Sequence, residues 1–353
     1  MTPLMTLQPG DLLAITRPAG PQAGTYQLPA ATLADLLSPA PVLGITGLLW
    51  SSVRSAADNS WQAICWSPEL QLYACVASSG SGNRVMTSSD GIRWTAGPAA
   101  TDQNWVALCW AAALGLFVAV SDSGTGQRVM TSPDGRSWTL RQTPADNNWA
   151  AICWAPELGL LVAVASTGTG NRVMISSDGI QWIAGPAGAD QKWRSICWAP
   201  QLGRLLAVSS TGGSQRVMTS SDGRTWTLRT AAAANSWTSI CWAAELGLLV
   251  AVSSSGRGNR VMTSPDGISW TSRSSAADNA WTSLCWAPER ELLVAVSSSG
   301  TGNRIMTSVD GFNWTVRSSP ADLGWRSLCW SPQRRQFVAV SNSGAGNRVM
   351  VSP

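Results

Sequence analysis

Short apolar runs alternate with polar, turn-forming clusters along most of this chain. In residues 61–96 the runs are "WQAICW" (61–66), "LYACVAS" (72–78), "RVMTS" (84–88) and "IRWTA" (92–96). "SPELQ", the glycine-rich "SGSGN" and "SDG" separate them. Val, Ile, Trp, Thr and Leu are enriched inside the runs, while Gly, Pro, Asn and Asp bound them, so each run predicts a short strand. Apolar residues fall on both parities, as in "LFVAV" at 116–120. Such strands are covered on both faces. Turn signals recur about every ten residues, which leaves no room for helices.

The pattern repeats. Trp61, Trp105, Trp149, Trp193, Trp237, Trp281 and Trp325 stand 44 residues apart. The pairs from Cys65–Trp66 to Cys329–Trp330 keep this step, as do the arginines from Arg84 to Arg348. A third tryptophan recurs at Trp94, Trp138, Trp182, Trp226, Trp270 and Trp314, and Trp50 falls in register as its seventh copy. These three series account for all 21 tryptophans. Seven periods counted back from Pro353 begin at Thr46.

A period of this length with four strands per unit predicts a β-propeller blade. The expected fold is therefore all-β, a seven-bladed propeller over residues 46–353, preceded by a small ββα segment over residues 1–45. The last repeat stops at "NRVMVSP", before its fourth strand, and residues 48–54 supply the missing piece. The first and last stretches of the repeat should share one sheet, because a ring closed otherwise would leave a strand edge unpaired.

Composition narrows the chemistry. The chain is 44% hydrophobic and 12% charged, with net charge +4, too mild to argue for nucleic acid. There is no histidine, so an imidazole acid/base near neutral pH is excluded. Lys192 is the only lysine. The start "MTPLMTLQPGDLL" has no basic segment followed by an apolar run, so no signal peptide is expected. Apolar runs fall well short of the roughly 18 residues of a membrane span.

Between the third and fourth strands stand "SSDGIRW" (88–94), "SPDGRSW" (132–138), "SSDGIQW" (176–182), "SSDGRTW" (220–226), "SPDGISW" (264–270) and "SVDGFNW" (308–314). They resemble the Asp-box, or BNR repeat, of sialidase-like propellers, with one residue fewer between Asp and Trp. The resemblance implies a structural role for Asp90, Asp134, Asp178, Asp222, Asp266 and Asp310. Turn chemistry gives the same expectation: Asp bonds its own turn, Gly supplies positive φ, and Trp packs on the sheet. Sialidase activity would need an arginine cluster and a tyrosine nucleophile with its carboxylate. Tyr26 precedes the repeat, Tyr73 lies mid-strand, and no blade carries an insertion. A non-enzymatic protein is expected, with no cofactor. The cysteines of the "CW" pairs, and Cys75, are expected to be small reduced core residues. No metal site is expected, since no cysteine pair has ligand spacing.

Two loops share one rim. One joins strands two and three ("SGSGNR", "SGTGNR"); the other joins successive blades ("SAADNSW", "SPADLGW"). Together they bring Arg, Asn or Gln, Asp and Trp to one face. Two readings follow. These groups suit sugar binding, with Arg84, Arg260, Arg304, Asp58, Asp278 and Asp322 as first candidates. Alternatively they form inter-blade contacts, with Trp as a spacer; Ala234 in one Asp position means the pairing is not obligatory everywhere.

Before the repeat, "DLLAITRP" and "TYQLPA" predict two strands around a turn, and "TLADLL" (32–37) a short capped helix. The run "LQPGDLLAITRPAGPQAGTYQLPAATLADLL" resembles the N-terminal segment of tailed-phage fibre and baseplate-associated proteins. That resemblance implies a virion anchor in residues 1–45, bound to other tail or baseplate proteins. It also implies assembly in a bacterial cytoplasm and a distal module for host attachment. The rim chemistry makes a host-surface glycan the expected partner of that module, and a homo-oligomer is left open. The alternatives are a structural virion protein and a bacterial lectin-like scaffold.

Overall fold

The computed structural model describes residues 12–16, 25–29 and 46–352. The chain divides into compact units at residues 1–45 and 46–353. In the first, Leu12–Thr16 pairs antiparallel with Thr25–Pro29, from Leu12 opposite Pro29 to Thr16 opposite Thr25. The helix expected at 32–37 lies outside the described residues.

The second unit is a β-propeller of seven four-stranded antiparallel sheets. Blade 1 runs outward through Trp61–Ser67, Leu72–Ala77, Val85–Ser88 and Thr95–Gly97. Blades 2 to 6 repeat this order down the chain. Each first strand neighbours the first strands of the blades on either side, which places it on the propeller axis.

Double-sided burial explains the mixed parity of the apolar residues. The third strand is buried at every position in all seven blades. One face packs on the preceding blade and the other on the next, so core clusters lie between blades rather than within them. Between blades 1 and 2, Ala74, Val76 and Val85 meet Trp105, Phe117, Ala119 and Met130. Between blades 7 and 1, Val338, Val340 and Val349 meet Trp61, Tyr73 and Met86.

Closure of the ring follows the register of the repeat. Ser51–Val53 pairs with Val349–Val351 as the outermost strand of blade 7. Residues 46–49, before it, form a turn. Trp50 donates from Nε1 to the Gly47 carbonyl at 3.0 Å, as Trp94 does to Gly91.

A β-bulge recurs at the start of every first strand. In blade 1, Trp61 pairs with Ala77 and Ala63 with Val76, so Gln62 is the unpaired extra residue. The other six blades shift register at the same place. A bulge re-aims the side chain it carries. Here it does so beside the axis, seven times.

Candidate functional site

The six S-x-D-G turns are held by their own side chains. Asp90 Oδ1 accepts from the amides of Ile92 (2.9 Å) and Arg93 (2.8 Å) and from the Ser88 hydroxyl (3.0 Å). Asp134, Asp178, Asp222, Asp266 and Asp310 accept from the equivalent amides. For Asp134, burial alone would raise the pKa. The amides of Ser137 and Arg136 and two serine hydroxyls more than reverse this and hold it at about 2. In Asp222 the Thr225 amide is the largest influence, with the same result of about 2.

At the rim, the glycine-rich loop wraps around its own arginine. Arg84 donates from Nε to Gly80 O (2.8 Å) and from Nη1 to Ser78 O (3.1 Å) and Gln103 O (2.8 Å). Arg304 bonds Gly300, Ser298 and Leu323 in the same way, and Arg260 bonds Gly256 and Ser254. Each arginine thus ties its own loop, and in most blades also the following inter-blade loop, by main-chain carbonyls.

The carboxylates pair one blade further on. Arg260 meets Asp278 at 3.6 Å and Arg304 meets Asp322 at 3.4 Å, but Arg84 meets Asp102 (3.7 Å), and Asp58 pairs with Arg348 of blade 7 (3.6 Å). The carboxylates also accept glycine amides: Gly346 to Asp58 (2.6 Å), Gly258 to Asp278 (2.7 Å) and Gly302 to Asp322 (2.7 Å). The arginine side chains are about one-seventh exposed, whereas these aspartates are 38–50% exposed. In blade 4, where Ala234 replaces Asp, Arg216 still bonds Gly213 O and Asn235 O. The carbonyls, not the carboxylates, hold the arginines in place.

One expectation for this rim is corrected. Trp61 and its six counterparts are fully buried between blades, so none presents an aromatic face to a sugar. Their bulk fills the inter-blade space, and most of their Nε1 groups bond the inter-blade loop, as Trp61 does with Ala57 O (3.0 Å).

The residues that sequence reasoning missed lie at the axis. Gln62, Val106, Ala150, Arg194, Thr238, Thr282 and Arg326, the seven bulged residues, all line one cavity of about 360 Å3. Ser78, Asn104, Asp122, Trp149 and Ser166 complete its wall. The signal was present: the residue after an invariant tryptophan takes five identities in seven copies. Arg326 Nε donates to Gln62 Oε1 (3.2 Å), and Gln62 Nε2 donates to Ser78 Oγ (2.8 Å). Burial, and then the nearby charge of Arg194, lower the Arg326 pKa.

No protein-family profile matches the chain, and no curated protein sequence matches it. Solved structures do match. Hydrazine synthase of Kuenenia stuttgartiensis is 13% identical with a TM-score of 0.66, covering 83% of this chain and 95% of that one. The β-propeller domain of Cps50 (Swd1) from Myceliophteria thermophila is 12% identical with a TM-score of 0.61, covering 86% and 100%. U3-55K is 10% identical with a TM-score of 0.62, covering 86% and 98%. At such identities the likeness concerns the propeller fold alone.

Proposed function

We propose that the chain is a non-enzymatic attachment protein of a phage virion, a tail fibre or tail-associated component. Residues 1–45 anchor it to tail or baseplate proteins, and the propeller engages a host-surface glycan through its loop-bearing rim. The observation that supports this most is the repetition of one rigid polar loop pair around a single face. Internal arginines stiffen each loop, and exposed carboxylates stand at the tips of six of the seven pairs. A repeated surface suits a repeated ligand: sites that bind singly at about millimolar strength gain firm adhesion through avidity. The rim carboxylates, rather than the arginines, are then the ligand-facing groups. A variant with Asp58, Asp102, Asp146, Asp190, Asp278 and Asp322 changed to Asn keeps an oxygen for the glycine amides and removes six charges. It is expected to fold and to lose adhesion to host cells. Undiminished adhesion by the folded variant would overturn this role for the rim.

The inward-turned arginines and buried tryptophans favour a second reading, a structural virion protein whose rim packs on other tail or baseplate proteins. Locating the chain in an intact particle separates the two: a rim facing outward from the tail agrees with attachment, and a rim covered by neighbours agrees with the structural role.

A further inference from the structure

The axial cavity is a single site, distinct from the repeated rim, and its chemistry does not depend on the attachment role. We propose that it binds a small hydroxylated anion, a sugar acid or a sugar phosphate, with the anionic group held between Arg194 and Arg326.

The first argument is position. Sevenfold repetition gives identical groups wherever a residue holds blades together, as at the fully buried Trp61 and its copies. The next residue escapes that constraint because the bulge lifts it out of strand pairing and turns it to the axis. Variation at seven converging positions builds what a symmetric ring lacks, one wall unlike the others. A cavity of about 360 Å3 lies in the range that holds a small ligand.

Charge is the second argument. Arg194 belongs to blade 4 and Arg326 to blade 7, three blades apart in a ring of seven, so they face one another from nearly opposite sides of the cavity. Neither is part of an ion pair among the described residues, whereas the rim arginines other than Arg216 all have one. Two like charges over one cavity repel each other, and an anion between them removes that repulsion while accepting charge-assisted bonds from both. Arg326 is already oriented through Gln62 and Ser78, so that side chain needs little further ordering on binding.

The third argument identifies the rest of the ligand. Thr238 and Thr282 spend their hydroxyl hydrogens on the carbonyls of Trp281 and Trp325, each at 2.7 Å. Their oxygens are left as acceptors. Asp122 adds a carboxylate two blades from each arginine. Acceptors spread along the wall call for donors spread along the ligand, which the several hydroxyl groups of a sugar supply and a compact inorganic anion does not.

The test is calorimetric titration of the full chain with glucuronate, glucose 6-phosphate, glucose and inorganic phosphate, alongside variants R194Q, R326Q and, as a control for net charge, R224Q on an outer turn. One or both sugar acids should bind with one site per chain, and glucose should not. Which acid binds tells carboxylate from phosphate. R194Q and R326Q should each weaken binding at least about tenfold, the worth of a charge-assisted bond, and R224Q should leave it unchanged. Equal weakening by all three variants, binding of inorganic phosphate alone, or no binding of either acid at millimolar concentration would overturn the proposal. Unchanged unfolding midpoints of the variants confirm that any loss is local.

Discussion

The amide of Gly47 donates to the hydroxyl of Ser352 at 2.6 Å, although 305 residues separate them. The same bond closes the intact turns, for example Gly91 to Ser88 at 2.8 Å. The seventh turn is therefore rebuilt from two separate stretches of chain. Thr46 stands where the other copies have Asp, and its hydroxyl accepts from Arg290 (2.9 Å). The bond matters because it seats Ser51–Val53 on Val349–Val351, the contact that covers the outer edge of the third strand of blade 7.

Removing residues 1–54 should expose that edge, and an unpaired edge is a template for aggregation. Removing residues 1–45 keeps Thr46–Val53 and should leave a soluble, cooperatively unfolding propeller. Size-exclusion chromatography and thermal unfolding compare the two. Similar behaviour of both truncations would show that the seventh blade does not need its fourth strand. Ser352→Ala in the full chain should cost about 1 kcal/mol, the net worth of one hydrogen bond.

Acid should weaken the S-x-D-G turns in a defined window. Asp134, Asp222 and Asp310 have pKa values of about 2 in the folded chain, below the ordinary 3.8. In Asp134 and Asp310 burial opposes the shift and hydrogen bonds from the turn outweigh it. A depressed folded-state value means the stabilisation is fully present above the unfolded pKa and is lost as pH falls through the folded one. Urea midpoints should thus hold steady down to pH 4 and fall between about 4 and 2. Replacing Asp134 and Asp222 by Asn should flatten part of that fall and lower the midpoint at pH 7. A fall of the same steepness in the variant would mean that other groups drive acid unfolding.

The blade count, the four strands and the shared seventh sheet were legible in the sequence because each rests on a strict period. The 44-residue step fixes the register of Trp50 as firmly as that of Trp270. The expected outer strand at 48–54 shortens to Ser51–Val53 because residues 46–49 still form a turn, whose Gly47 carbonyl accepts from Trp50. The rim was legible only in part. That Arg and Asp lie near each other follows from loop order; that the arginine points inward to carbonyls does not, since it depends on the curl of a glycine-rich loop. The axial cavity went unseen because a period draws the eye to what repeats, and the bulged position is where the repeat varies.

On the face opposite the rim, six of the seven second tryptophans reach back to the preceding blade. Trp66 donates to Gln333, Trp110 to Glu69, Trp242 to Gln201, Trp286 to Glu245, Trp330 to Glu289 and Trp198 to Glu157. Trp154 is the exception: its Nε1 is buried without a hydrogen-bond partner among the described residues, and the equivalent position holds Ala113. Ala113 is exposed, so a longer side chain has room. Ala113→Glu should complete the ring of bonds and stabilise the fold by about 0.5–1.5 kcal/mol. Ala112→Glu, one residue away, should not. Denaturant unfolding of the two variants checks this, and equal midpoints would refute it.

The cysteines offer the last prediction. Six of the eight are half-buried at the first strands, and Cys75 and Cys329 are buried; all eight are free thiols. Burial pushes Cys109, Cys197 and Cys285 up to about 12, and raises the others well above the ordinary thiol value. Only the thiolate attacks an alkylating reagent or a disulfide. At pH 8 a thiol with a pKa of about 12 is thiolate in about one molecule in ten thousand, against roughly a quarter for an ordinary exposed cysteine. Iodoacetamide at pH 8 should therefore leave the native protein almost unmodified and label all eight cysteines in urea. Intact mass without reductant should show no disulfide. Rapid labelling of the native protein would mean that the sulfurs reach solvent more often than the folded structure allows. Slow labelling at the rate of global unfolding would instead tie their access to opening of the whole ring.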